Sequence, residues 1–187
     1  MSEHAQSFIA YLTELAKHDR GALAHLRRSL GFAPGAYAPV YPAVERFVGR
    51  DQHANDPRRK ALYLAAGLFS LHPEHRSGQS LATALGHLAR VRESASIEQR
   101  FIALLGAEAE GLPNFLRQAL SLLAADGHPC DYVRLLNDLG VWLRPNDAKG
   151  RDQVRQFWAR DFYRAYDGVP DSTEHAPANL DSTQPAV

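Results

Sequence analysis

The sequence predicts an all-α protein, a bundle of about eight or nine helices. Three observations carry that reading. Apolar residues recur at spacings of three and four from Phe8 to Ala165. No segment alternates apolar and polar residues with the period of two that a half-buried strand requires. Between Asp56 and His72, DPRRKALYLAAGLFSLH, the residues Ala61, Leu62, Leu64, Ala65, Ala66, Leu68, Phe69 and Leu71 are apolar around the whole helical cylinder. Such a helix belongs in an interior, and it is too short to cross a bilayer, which takes roughly 20 apolar residues.

Taken in order, residues 2–18 read as a helix with Phe8, Tyr11, Leu12 and Leu15 on one side. Asp19 then caps a second helix, DRGALAHLRRSLG, whose apolar face is Leu23, Leu26 and Leu30 and whose stop signal is Gly31. Three prolines mark residues 34–48, where Pro42 opens a short helix with Val44, Phe47 and Val48 inward, and residues 49–55 form a loop. In the central helix Asp56 is the cap and Pro57 takes the first position, where a missing N–H costs nothing. Gly67 leaves room for a second helix to approach, and Pro73 bounds the element. Arg58, Arg59 and Lys60 sit at the positive end of its dipole, each unfavourable by ~0.3–1 kcal/mol. Either solvent tolerates this or an anion offsets it.

HPEHRSGQS reads as a polar, mobile connection. A helix over 79–92 follows, with Leu81, Leu85, Leu88 and Val91 inward. Ser94 or Ser96 caps SIEQRFIALLGAE, where Ile97, Phe101, Leu104 and Leu105 form the stripe. Pro113 opens PNFLRQALSLLAADG, with Phe115, Ala119, Leu122 and Leu123 inward and Arg117 on the opposite side. Asp131 caps DYVRLLNDLGVWL, in which Arg134 and Asp138 read as an exposed i,i+4 pair. The last helix, about 148–166, places Val154, Phe157, Trp158, Phe162 and Ala165 on the core, with Asp161 in the middle of that stripe. A carboxylate there needs a partner. An arginine ion pair is the favoured reading, and a catalytic carboxylate is the other. Residues 1–166 thus make one helical domain, and 167–187, polar, acidic and proline-bearing, read as a disordered tail.

The 187 residues carry 21 basic and 21 acidic side chains. The balance is uneven: every cation lies within 1–166, which holds 17 acidic residues and is therefore +4, and Asp167, Asp171, Glu174 and Asp181 cancel it. Arginines outnumber lysines 18 to 3, and guanidinium forks match phosphate geometry. One cysteine, Cys130, excludes an internal disulfide and a cysteine-based zinc site. With no signal-peptide pattern and no long apolar run, a cytoplasmic protein without membrane association is expected. His72 and His75 are separated by Pro73, which breaks the one-turn spacing a helical metal site needs. Asp131 beside Cys130 disfavours a thiolate. No phosphate loop, nucleophile elbow or cofactor motif occurs, so neither an enzyme nor a cofactor is predicted.

What remains is arginine at intervals on several helices. Arg20, Arg27 and Arg28 fall within one arc of the second helix, with no acidic residue at i±4 from Arg27 or Arg28. With Arg58, Arg59, Lys60, Arg92, Arg100, Arg117, Arg151 and Arg155 they can form a sequence-independent track for nucleic-acid backbone if they converge. No helix-turn-helix, RRM or zinc-finger pattern points to base-specific reading.

The ordered set DRGALAHLRRSLG, LYLAAGLFSLHP, SIEQRFIALLGAE, LPNFLRQALSLL, DYVRLLNDLGVW and VRQFWARDFY, spanning about residues 6–166, resembles the CasB family, the small subunits of type I-E CRISPR Cascade complexes. The resemblance implies an all-helical, non-enzymatic subunit of an antiviral ribonucleoprotein. It implies contacts with the Cascade backbone and large subunits and with a second copy of the chain. It also implies a basic surface that meets crRNA and the target or displaced DNA strand and stabilises target capture. Arg27 and Arg28 match the family's paired arginines, Arg100 a basic position after Ser96, and Arg117 the arginine of the LRxxL helix. Gln99 departs, standing where a second arginine is common, and the tail has no counterpart. A protein–protein scaffold without nucleic-acid contact is the alternative.

Overall fold

The structure, a computed structural model, describes residues 3–169. Its helices are α1 (Glu3–His18), α2 (Arg20–Ser29), α3 (Tyr41–Val44), α4 (Pro57–Phe69), α5 (Leu81–Val91), α6 (Ala95–Leu105), α7 (Leu112–Ala125), α8 (Tyr132–Trp142) and α9 (Ala148–Asp167), with single 3₁₀ turns on either side of α3. The all-α prediction holds. Among the described residues no helix is long and apolar enough to cross a membrane. The expected tail from residue 170 onward lies outside the described residues, and Asp167 belongs to α9.

α4 is the centre. Every residue from Ala61 to Phe69 is buried. The Asp56 carboxylate accepts from the Arg58 N–H at 2.8 Å and closes the N-terminus. α2 lies across α4 at Gly67, where a Cβ would stand 2.7 Å from Leu30 and 3.3 Å from the Leu26 carbonyl. A second close crossing joins α5 to α9. A Cβ at Gly86 would fall 2.3 Å from the Phe162 carbonyl oxygen, a backbone atom that cannot swing away. Phe162 stacks on Phe101 of α6 at 4.1 Å, and Trp158 packs against Trp142 of α8 at 5.2 Å.

Three expectations change. The 72–80 connection is stitched to the α7–α8 connection instead of being loose. His75 and Cys130 pair as a parallel bridge, the Arg76 N–H donates to the Cys130 carbonyl at 3.0 Å and the Asp131 N–H to the Gln79 carbonyl at 2.6 Å. The buried Asp131 carboxylate serves both sides, accepting from Gly78 N–H at 2.9 Å and, as the α8 cap, from Arg134 N–H at 3.0 Å. Glycine at 78, with φ +82°, makes that turn possible. α5 accordingly begins at Leu81, capped by Ser80, and not at Gln79.

Secondly, Phe157 and Val91 face outward, 51% and 69% exposed. Each lies at the margin of its helix's apolar arc, where period alone does not separate rim from core. Thirdly, Arg134 and Asp138 are not an exposed pair. Arg134 reaches across to Asp161 at 2.7 Å, and Ser80 Oγ donates to the same carboxylate oxygen at 2.8 Å. Asp138 turns inward and accepts from Trp158 Nε1 at 2.7 Å. The arginine partner required of Asp161 is therefore Arg134, and the cap of α5, α8 and α9 meet in one polar junction. Burial pushes the Asp138 carboxyl up to about 6, against the Trp158 hydrogen bond and the Arg134 charge.

Two predictions follow from these contacts. Gly86→Ala costs about 3 kcal/mol of unfolding free energy because the α5–α9 crossing must open. Gly140→Ala, on a helix where nothing lies within 4 Å of the added carbon, gains about 0.5–1 kcal/mol. Urea denaturation of both variants measures the contrast. The second concerns Asp138. Its folded pKa lies above the ~3.9 of an unfolded aspartate, so its contribution is complete below pH 4 and is lost as pH rises through 6. Asp138→Asn keeps an acceptor for Trp158 and removes the titration. It should gain about 2 kcal/mol on the parent between pH 4 and pH 7, and a stability difference that does not change with pH would contradict the assignment.

Candidate nucleic-acid interface

The arginines divide by partner. Arg58 folds back on Asp56 at 2.9 Å and reaches Asp51 at 3.4 Å. Arg59 forks onto Glu45 at 2.5 and 3.0 Å, and Tyr63 donates to the same carboxylate. Burial raises the Glu45 pKa, but the Tyr63 and Arg59 hydrogen bonds outweigh it and hold the carboxyl below the usual range. The positive end of α4 is thus balanced by carboxylates of its own chain. Arg155 donates to the Ala107 carbonyl at 3.0 Å, lies over the Trp142 ring at 5.3 Å, and has Asp152 at 3.4 Å and Glu108 at 3.8 Å. Arg92 pairs with Asp126 at 2.6 Å. These four guanidinium groups are paired with carboxylates of their own chain.

The remainder are different. Arg20, Arg28, Arg100 and Arg117 are exposed, and no side-chain hydrogen bond or ion pair engages them among the described residues. Arg27 is exposed and gives one N–H to the Ser70 carbonyl at 2.8 Å, where it tethers α2 to the C-terminus of α4. Arg151 is half-buried with one long contact, 3.5 Å, to the Arg144 carbonyl, and Lys60 is half-buried. Arg100 and Arg117 come together on the α6–α7 surface, with Asn114, Gln118 and Ser121 between and beside them. Arg20, Arg27 and Arg28 share α2. The C-terminal end of α2 faces the first turn of α7. Pro113 lines a crevice with Ser29, Leu30 and Phe32 at the end of α2, and Asn114, next in sequence, lines the Arg100–Arg117 surface.

The predicted set of nine therefore sorts into an exposed trio on α2 (Arg20, Arg27, Arg28), a pair that shares the α6–α7 surface (Arg100, Arg117), a group paired within the chain (Arg58, Arg59, Arg155), and Arg151, which joins none of these. Periodicity missed the polar residues of α7, Asn114, Gln118 and Ser121. They lie within about a turn of Arg117 in sequence, a signal available in the helix net.

The groups weighed for chemistry are engaged elsewhere. His72 Nε2 meets the His128 carbonyl at 2.8 Å, and His75 Nδ1 accepts from the Tyr132 N–H at 3.2 Å. Cys130 is buried, and burial pushes its thiol up to about 12. Among the described residues no three His, Cys, Asp or Glu side chains are grouped to hold a metal ion.

The profile of the family described as CRISPR-associated protein Cse2 matches residues 22–163. A curated relative, CRISPR-associated protein Cse2 of Thermus thermophilus, is 40% identical over 145 residues, covering 77% of this chain and 79% of that protein. The crystal structure of CasB from Thermus thermophilus superposes with a TM-score of 0.72 at 37% identity, over 87% of this chain and 99% of that one. A chain of a CRISPR RNA-guided surveillance complex shares the fold, with a TM-score of 0.74 at 21% identity over 89% and 95% of the two chains.

The division of the arginines is measurable without any ligand. Arg59→Ala should cost about 1–2 kcal/mol by leaving Glu45 short of its partner, whereas Arg28→Ala and Arg117→Ala should each stay within ~0.5 kcal/mol of the parent. Equal losses at all three positions would mean the exposed arginines also carry the fold.

Proposed function

The chain belongs to the CRISPR-associated Cse2 (CasB) family, and from that premise we propose that it is a non-enzymatic small subunit of a type I-E Cascade surveillance complex that holds nucleic-acid backbone without reading its sequence. The observation that carries the proposal is that Arg20 and Arg28 on α2 and Arg100 and Arg117 on α6–α7, read together as one cationic strip, have no carboxylate partner among the described residues, whereas Arg58, Arg59, Arg92 and Arg155 do. Five guanidinium groups along such a strip suit phosphates spaced along a strand. The non-enzymatic reading is supported by the engagement of Asp138, Asp161, His72, His75 and Cys130 in structural contacts.

The work such a strip does is electrostatic. Guide pairing reads the target, and replacing a DNA duplex by an RNA–DNA duplex is nearly balanced in free energy. Backbone contacts that hold the target or displaced strand slow re-annealing and tip the exchange toward the opened state. Ile102 on α6 and Phe157 on α9, each half exposed, offer apolar area for contacts with the backbone subunit, the large subunit or a second copy. A cytoplasmic location fits a partner that carries crRNA.

The test is binding of single-stranded DNA, by the full chain and by a guide-RNA particle assembled with it, over a series of salt concentrations. Arg28→Ala with Arg117→Ala should weaken binding and reduce the slope of log Kobs against log salt by about 2. An unchanged slope removes these residues from the interface. Parent protein with no affinity for single strands at low salt, alone and in the particle, favours the scaffold reading.

A further inference from the structure

The turn after α2 presents an aromatic residue that the fold does not need buried. Phe32 is 50% exposed. One face of its ring stacks on Tyr37, with centroids 4.9 Å apart and planes 19° from parallel. Tyr37 is itself fixed, its hydroxyl 3.1 Å from His25 Nδ1 and its ring beside the imidazole. The loop closes on this arrangement through the Ala36 N–H, which donates to the Ala33 carbonyl at 2.9 Å, and through Gly35, whose φ of +86° only glycine adopts easily. The ring is therefore held flat against a support. Phe157, equally exposed, differs: Arg160 of its own helix lies over it at 5.7 Å.

The setting is cationic. Arg28 lies one turn before Phe32, and the Phe32 N–H is bonded to the Ser29 carbonyl at 3.0 Å. No acidic residue occurs between Asp19 and Glu45. Across the crevice stands Pro113, which leads into the Arg117 surface. A rigid aromatic face one turn from an unpaired arginine, across a crevice from the turn that leads to Arg117, is the combination that takes unpaired bases: cations track the phosphates and the ring stacks any base, since every base has a π-face. We propose that Phe32, backed by Tyr37, is a stacking platform for an unpaired base, so that the strip binds a single strand in preference to a duplex. The proposal rests on the nucleic-acid reading above and adds to it the state of the strand.

The full chain is titrated, by fluorescence anisotropy at low salt, with labelled oligothymidylate, with an abasic strand of the same length, and with a duplex. The parent should bind oligothymidylate about tenfold tighter than the abasic strand. Phe32→Ala should abolish that preference and leave the salt slope unchanged, and Phe32→Trp should keep it. Both substitutions are at a half-exposed position, and circular dichroism checks that helix content is retained. A preference that survives Phe32→Ala, or a parent that binds thymidylate and abasic strands equally while the arginine substitutions still lower the slope, overturns the platform and leaves the phosphate contact standing. A parent that binds neither strand, alone and in the guide-RNA particle, overturns both.

Discussion

The structure depends on an apolar helix whose two ends are closed by charge. Burying α4 from Ala61 to Phe69 removes a large apolar area from water, but it also brings the helix's unsatisfied termini and a basic first turn close to the interior. Asp56 answers the N-terminal N–H groups. Asp51, Asp56 and Glu45 neutralise Arg58 and Arg59. At the other end Arg27 donates to the Ser70 carbonyl, where the dipole is negative. With its ends satisfied in this way, α4 can be covered by α2 at Gly67 and by α7 and α8 on other sides.

This arrangement separates two uses of one residue type. A guanidinium facing a carboxylate of its own chain locks geometry. A guanidinium without one retains its donors for a phosphate. Arg59 and Arg28 look alike in composition, yet the first is bound to Glu45 from before α4 and the second stands where the surrounding sequence contains no acid. The exposed arginines of α2 are thus defined as much by where the carboxylates are missing, between Asp19 and Glu45, as by where the arginines are.

The helices, their caps at Asp19, Asp56 and Asp131, and the buried face of α4 were legible from the sequence because they depend on local period and local hydrogen bonding. The partner of Asp161 was legible in kind but not in name, since Arg134 lies on a different helix and its sequence neighbour Asp138 looked like the simpler match. The Arg59 pair was missed for the same reason: Glu45 is fourteen residues from Arg59, and only the turn around α3 brings it back. His72 and His75 looked like members of a loose loop because backbone pairing of that connection with Cys130 and Asp131 leaves no trace in composition. Convergence of Arg100 with Arg117 required the α6–α7 packing, which periodicity does not specify.

The pairing of α5 with α9 has a consequence for how the chain is made. α5 hides the face around Gly86 against Phe162 and Ala165 of a helix encoded some seventy residues later, so during synthesis that face has nothing to cover it while α6, α7 and α8 emerge. Domains tend to fold as units as the ribosome delivers them, and here the unit is incomplete until Phe162 has left the ribosome. A nascent chain stalled within α8 would therefore display an apolar groove shaped for α9, the kind of surface that chaperones hold and that aggregation exploits.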